Sequence, residues 1–339
     1  PALFTIIGEV LMGKAAEIEV APGEAVIIPT GGMLPSNTDS VVMLEYTEQL
    51  DVNTVMVSKA AAPGENIVWR GEDYEAGSPI ITKGQRLGPQ QLGVLAACGV
   101  TAIAVRKKPR VAIISTGDEV VDICHAPAPG QVRDINSYTL AAMLTQEGCE
   151  TTRLGIVKDS YQDFLALLAA AIHEYDLIVV SGGSSVGARD YTVKAIGVLG
   201  EPGVLMHGMA IKPGKPTIFG MVSEKPVFGL PGHPVAAMTV CEQLVKPAVR
   251  LLRGQLLVNE KPGVMAKMAR NVASVPGRDD FINVRLVRRE EGILAEPLLG
   301  KSGLISLMAH ADGLVRIPSE KGGLYAGDAV EVLLYQEQE

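Results

Sequence analysis

Short apolar runs alternate with segments of helical period through the middle of this chain, and neither end shares that rhythm. Val111-Ala112-Ile113-Ile114 is an unbroken apolar run that predicts a buried strand. Thr151–Val157, Leu177–Val180 and Pro226–Leu230 predict three more. Between them, Leu140, Met143 and Leu144 share one helical face behind a cap at Asn136 or Ser137, and Phe164, Leu168 and Ile172 share another. A short helix follows over Tyr191–Leu199, and a long one starts at Pro234 carrying Met238, Cys241, Val245, Ala248 and Leu252. Strands alternating with helices predict an α/β domain whose mostly parallel sheet is covered on both faces. From Ile7 to Glu75 the pattern is instead β-like, with Glu17–Val20, Ala25–Ile28 and Val55–Val57 separated by Pro and Gly. Short strands return after Lys261, Phe281–Val287 and Asp328–Leu334 among them. The expected organisation is a small β domain (1–77), a connector with a helix from Pro89 to Gly99 (78–108), the α/β domain (109–254) and a C-terminal β domain (255–339).

Composition narrows the classes. The chain has 339 residues, enough for more than one domain and a sizeable core. Its 37 glycines and 21 prolines exceed the usual combined share of roughly 12 % and point to many turns and backbone-lined sites. A net charge of −8 argues against non-specific nucleic-acid binding but leaves room for a locally basic anion site. Cys98, Cys124, Cys149 and Cys241 stand singly, which suggests reduced thiols in a cytoplasmic protein and no structural zinc. No apolar run is long enough to span a membrane.

The candidate chemistry clusters at strand ends. Leu177–Val180 runs into Ser181-Gly182-Gly183-Ser184-Ser185-Val186-Gly187, with a helical pattern opening at Asp190. Such a strand-to-helix turn suits either an anion-binding loop or a tight turn without ligand, and it matches neither the P-loop nor the dinucleotide fingerprint. Thr116-Gly117-Asp118-Glu119 follows the first buried strand, where two adjacent acids suit either Mg²⁺ ligation or a solvated turn. Asp159 suits a helix cap or a site acid, and Asp190 carries the same ambiguity. Lys212-Pro213-Gly214-Lys215-Pro216 holds two ammonium groups on a stiff loop, fit for phosphate or for solvent. Leu230-Pro231-Gly232-His233-Pro234 is a second glycine turn before a helix, with His233 in a ligand-facing, capping or solvent-facing position. All these turns fall at the carboxyl edge of the expected sheet, where ligands bind in folds of this kind.

Taken in order, TGDE, PGQVRDINS, SGGSSVGARDYT, MAIKPGKPT and LPGHPVAA resemble the motifs of the molybdopterin molybdenumtransferases, the MoeA and gephyrin E-domain family. TGGMLPSNTDSVVMLE and RGEDYEAG resemble its upstream motifs, and SGLISLMAHADGLVRIP its C-terminal domain, so the likeness covers nearly the whole chain. The resemblance implies a MogA-like, molybdopterin-binding α/β domain flanked by the two β domains. It also implies an elongated homodimer with each active site between the α/β domain of one subunit and the β region of the other. The implied reaction inserts molybdate into adenylylated molybdopterin with Mg²⁺-dependent release of AMP. By motif match, Asp73, Glu119, Asp159 and Asp190 would be the acids at metal and pterin, with Asp73, Glu119 and Asp190 as metal ligands. Lys212 and Lys215 would bind phosphate or oxyanion. Thr116, Gly117, Asp118, the loop residues Ser181, Gly182, Gly183, Ser184, Ser185 and Gly187, and the turn residues Pro231 and Gly232 would line the ligand. Arg278, Ser302 and Thr30 are weaker matches.

Three departures mark this chain. The family's S-x-M-D-G-Y-A-like motif, which carries an active-site Asp, would lie upstream of Pro1, so the sequence reads as N-terminally truncated. His233 and Ala236 stand where the family turn has Asn and Ser, and Gly-Gly-Ser-Ser replaces Gly-Gly-Val-Ser. The alternatives to the transferase are a molybdopterin-binding scaffold without turnover and a molybdopterin adenylyltransferase.

Overall fold

The computed structural model describes residues 1–182, 186–255 and 263–335, and at 186–190 the backbone alone. Contacts divide the chain into two units, Pro1–Thr82 and Lys83–Glu339. The first holds a four-stranded sheet of β1 (Ala2–Glu9), β2 (Glu24–Ile27), β3 (Thr47–Gln49) and β4 (Thr54–Val57), in the order β2-β1-β4-β3. Glu17–Val20, expected as a strand, is not one: it contributes a single bridge between Glu19 and Ser36. Val10 and Val20 are buried, whereas Leu44, Val52 and Val68 are 79 %, 83 % and 78 % exposed.

The second unit begins with α1 (Pro89–Ala97), where proline opens the helix and Gln91 Oε1 accepts the Gly88 N–H at 2.9 Å. Next come β5 (Arg110–Thr116), the short paired strands β6 (Val120–Val121) and β7 (Val132–Arg133), α2 (Asn136–Gln146), β8 (Glu150–Val157) and α3 (Tyr161–Glu174). Then follow β9 (Leu177–Gly182), α4 (Val186–Leu199), β10 (Pro202–His207), β11 (Ile211–Lys212), β12 (Ile218–Val222) and β13 (Lys225–Leu230). The sheet runs β10-β12-β13-β9-β5-β8, with β8, β5, β9 and β13 parallel and β12 and β10 antiparallel at one edge.

The apolar runs are unbroken because both faces of these strands are covered. Val111, Ile113, Leu177 and Val179 pack on one side with Leu140 and Leu144 of α2. Ala112, Ile114, Ile178 and Val180 pack on the other with Phe164 and Leu168 of α3 and Ile196 of α4. Leu168 is fully buried. Leu168→Ala is expected to cost about 2–5 kcal/mol, read as a lower denaturation midpoint of this domain.

The run from Pro234 is helical throughout but not uniform. α5 (Pro234–Val240) and α6 (Lys246–Leu252) are joined by a π-helical segment, Cys241–Val245. Lys246, 3 % exposed, forms an ion pair with Glu242 inside this stretch. All four cysteines are free. Burial pushes the Cys149 thiol up to about 11 and the Cys241 thiol higher still, so both act as small core side chains.

The last stretch contains β14 (Val264–Met268), β15 (Val272–Ala273), β16 (Asp279–Arg289), β17 (Gly292–Pro297), α7 (Ser306–His310), β18 (Gly313–Ile317), β19 (Gly323–Leu324) and β20 (Ala329–Leu334). Its sheet runs β11-β16-β17-β14-β20-β18, and a further pairing of β16 with β18 closes the last five strands into a ring around Val284, Ala295, Val315 and Val332. β11 comes from the loop between β10 and β12, so that loop is stitched to the C-terminal sheet by parallel pairing with β16.

Candidate functional site

The chain passes from β5 to β8 on one side, then returns through α3 to β9 on the other side of β5. Strand order therefore reverses between β5 and β9, the position where parallel α/β sheets open a crevice for ligand. Thr116 and Gly182 pair there, beside Ser115 and Ser181. Gly182 has φ +125°, and a Cβ on it would overlap the Thr116 carbonyl oxygen and stand 2.9 Å from Thr116 Oγ1. Only glycine lets the two strand tips close up in this way.

Three carboxylates gather at the tips of β5 and β8. The Asp159 N–H donates to Asp118 Oδ1 at 3.1 Å. Lys158 Nζ donates to the carbonyls of Asp118, at 3.1 Å, and Val120, at 2.9 Å. The Glu119 carboxylate folds back over Gly117, where an added Cβ would meet its Oε2 at 2.5 Å. Partial desolvation and the like charges of Asp118 and Glu119 push the Asp159 carboxyl above its ordinary range, against the opposing pull of Lys158. Of the two roles open to Asp159, the helix cap belongs to Ser160, whose Oγ accepts the Asp163 N–H at 3.4 Å at the start of α3. Among the described residues no three His, Cys, Asp or Glu side chains stand in a metal-ligating group.

Asp134 and Asn136 organise the same edge. Asp134, 7 % exposed, accepts Ser115 Oγ–H at 2.8 Å and the Ser137 N–H at 3.1 Å. It therefore does for α2 what Asn136 or Ser137 was expected to do. Asn136 Nδ2 donates to Ser181 Oγ and to the Gly232 carbonyl, each at 2.9 Å. The buried Pro231 and the half-buried Gly232 thus join Thr116, Gly117, Asp118, Glu119, Asp159, Ser181 and Gly182 along one rim.

Gly183, Ser184 and Ser185 lie outside the described residues, as does the side chain of Asp190. The helix after the glycine loop starts at Val186, not at Asp190, so Gly187 sits in its first turn. Glycine and alanine at 187 and 188 carry no apolar period that could have shown this.

A second group is tied to the C-terminal sheet. Pairing of β11 with β16 sets Lys212 opposite Asp280, with Nζ 3.8 Å from Oδ2. Arg278 Nε holds the other oxygen of Asp280 at 2.8 Å. Asp280 is 1 % exposed, so it works as a buried counter-charge that orders two cations. Ser302 Oγ lies 2.8 Å from His233 Nδ1, and the Ser302 carbonyl accepts the Val235 N–H at 3.2 Å, so this loop is bound to the start of α5. Lys215 is exposed on the turn after β11. Thr30 and Asp73 are exposed on loops of the Pro1–Thr82 unit.

Asp134, Lys158 and Asp280 carry no signal of their own in the sequence, and Asn136 entered only as a candidate helix cap. The motif PGQVRDINS contains Asp134 and Asn136, and as a block it hints at both.

Comparison with known proteins accords with this layout. Residues 112–251 match a family described as a probable molybdopterin binding domain. Residues 4–99 match the MoeA N-terminal region, domains I and II, and residues 265–335 the MoeA C-terminal region, domain IV. The molybdopterin molybdenumtransferase of Haemophilus influenzae is 32 % identical over 331 residues, covering 97 % of this chain and 81 % of that protein. Its counterpart in Bacillus subtilis is 32 % identical over 345 residues, covering 100 % of this chain and 79 % of that protein. A crystal structure of the molybdopterin biosynthesis MoeA protein of Pyrococcus horikoshii superposes with a TM-score of 0.78 at 30 % identity, covering 99 % of this chain and 82 % of that one. Three matched regions in the expected order, and relatives alike over almost the full sequence, place this chain in the MoeA family of molybdopterin molybdenumtransferases.

Proposed function

We propose that the chain inserts molybdate into adenylylated molybdopterin and releases AMP, a step of molybdenum cofactor biosynthesis. The observation that carries this is the strand reversal between β5 and β9, where Gly182 closes on Thr116, with Glu119 folded over Gly117 and the raised Asp159 carboxyl nearby. Like charges held together at a strand edge suit a hard divalent cation, which binds oxygen ligands and relieves the repulsion. Glu119 and Asp159 would hold Mg²⁺, and Asp190 and Asp73 enter the set by resemblance. When bound, the ion would supply charge neutralisation at the phosphoanhydride. The protein's own task is to orient the ligand: Thr116, Ser181 and the two glycine turns offer hydroxyl and backbone groups to the pterin and its phosphate. Lys212, Lys215, Arg278 and Ser302 suit an oxyanion, with Asp280 fixing the first and third of these.

AMP release from adenylylated molybdopterin should require both molybdate and Mg²⁺. Binding of the nucleotide with no AMP released would leave a binding module, and ATP consumption with molybdopterin alone would mark an adenylyltransferase.

The proposal includes the four-part division at 77/78, 108/109 and 254/255, a cytoplasmic location and a homodimer. A dimer would cover exposed apolar side chains of the Pro1–Thr82 unit such as Leu44 and Val68. Sedimentation should give twice the chain mass; a concentration-independent monomer would remove that part. Among the described residues no helix is long and apolar enough to cross a membrane.

A further inference from the structure

We propose that Asn136 is a positioning residue that ties the end of β9 at Ser181 to the Leu230–His233 turn, fixing the two against each other at the ligand edge. The inference rests on the reading of this edge as the molybdopterin site and deepens it.

β9 and β13 are parallel neighbours whose pairing ends at Ser181 and Leu230. Sheet pairing holds the two strands together only up to that register, so Ser181 and Gly232 need another link to keep their spacing. Asn136 supplies it at the first residue of α2, with one hydrogen bond to Ser181 Oγ and one to the Gly232 carbonyl, both 2.9 Å. A carbonyl can only accept, so the contact with Gly232 fixes which way the amide faces. Both amide hydrogens are then committed. The residue is itself held, because Asp134 ties the same segment to Ser115 on β5 and to the Ser137 N–H. One segment of four residues therefore locks three strand tips, and the amide works through Ser181 and Gly232 with no need to touch the ligand.

The test compares wild type with Asn136→Ser and Asn136→Asp. The first shortens the side chain, and the second sets a carboxylate against the Gly232 carbonyl. For a folded variant the KM for adenylylated molybdopterin in AMP release should rise at least about tenfold, the loss expected for a pair of neutral hydrogen bonds, while kcat changes much less. Amide hydrogen exchange at Gly182 and Gly232 should quicken without ligand. Ser181→Ala in the Asn136→Ser background should add little to the quickening of exchange at Gly232. A folded Asn136→Ser variant with wild-type KM and wild-type exchange at both glycines would overturn the inference, as would full additivity with Ser181→Ala in the exchange at Gly232. If Asn136→Asp does not fold, Asn136→Ser decides alone. If the wild-type chain does not bind adenylylated molybdopterin, the functional reading falls and this inference with it.

Discussion

Gly182→Ala is expected to destabilise the α/β domain by about 2–6 kcal/mol and to abolish ligand binding. Two costs add. A residue with a Cβ must adopt φ near +125°, a region costing about 1–3 kcal/mol for L side chains. The new methyl must also displace the Thr116 backbone, an over-packing cost of about 1–3 kcal/mol. A rigid carbonyl in a central strand cannot swing aside as a flexible side chain could. Gly197→Ala is the matched control: it lies in α4 with negative φ and nothing within 4 Å of the new methyl. Alanine there should be neutral or add up to about 1 kcal/mol. Urea denaturation of both variants checks the pair, and equal midpoints would refute the close approach of β5 and β9.

Asp159→Asn is expected to lower AMP release by two to three orders of magnitude while leaving the fold at least as stable at neutral pH. The sign follows from the raised carboxyl of Asp159. For an acid whose folded pKa lies above its unfolded value, ionisation costs the native state. That cost is absent below the unfolded value near 3.8, grows as pH rises toward the folded value, and is complete above it. Asparagine keeps the shape and removes the charge. Its advantage in thermal midpoint should therefore appear at neutral pH and vanish below the ordinary carboxylate range. Added Mg²⁺ should raise the wild-type midpoint and leave the variant unmoved. Loss of stability at neutral pH in Asp159→Asn would instead assign the carboxylate a structural role.

The parts of this protein legible in its sequence are those where burial leaves a one-dimensional mark. Val111–Ile114 and Leu177–Val180 read as strands because both faces are packed, so every position had to be apolar. Glu17–Val20 carried a similar short alternation but found one bridge, since a half-exposed sheet demands little of its sequence. Asp159 and Ser160 are adjacent and either could cap α3. Only the position of Asp118, 41 residues earlier, shows which one is free for chemistry. Asp280 was hidden for the same reason, because its partner Lys212 is brought opposite it by a two-residue strand added across domains. The turns TGDE, SGGSSVG and LPGHP could be placed at one edge from alternation alone. The amide that holds two of them together could not, because one asparagine before a helix has no pattern of its own.

The π-helical stretch at Cys241–Val245 is a wide turn within one continuous helix. A π turn holds one residue more than an α turn, so the helix carries a surplus residue without being interrupted. Deleting a single residue between 241 and 245 would close the wide turn into an ordinary one and leave the residues after it in nearly the same phase. Deleting one of residues 246–248 would instead turn everything after it by about 100°. Val249, fully buried, would then rotate out of the core, and Arg250 would lose its two-pronged hold on Glu147. The wide turn is thus slack in the helix: length can be taken up there while both ends keep their faces.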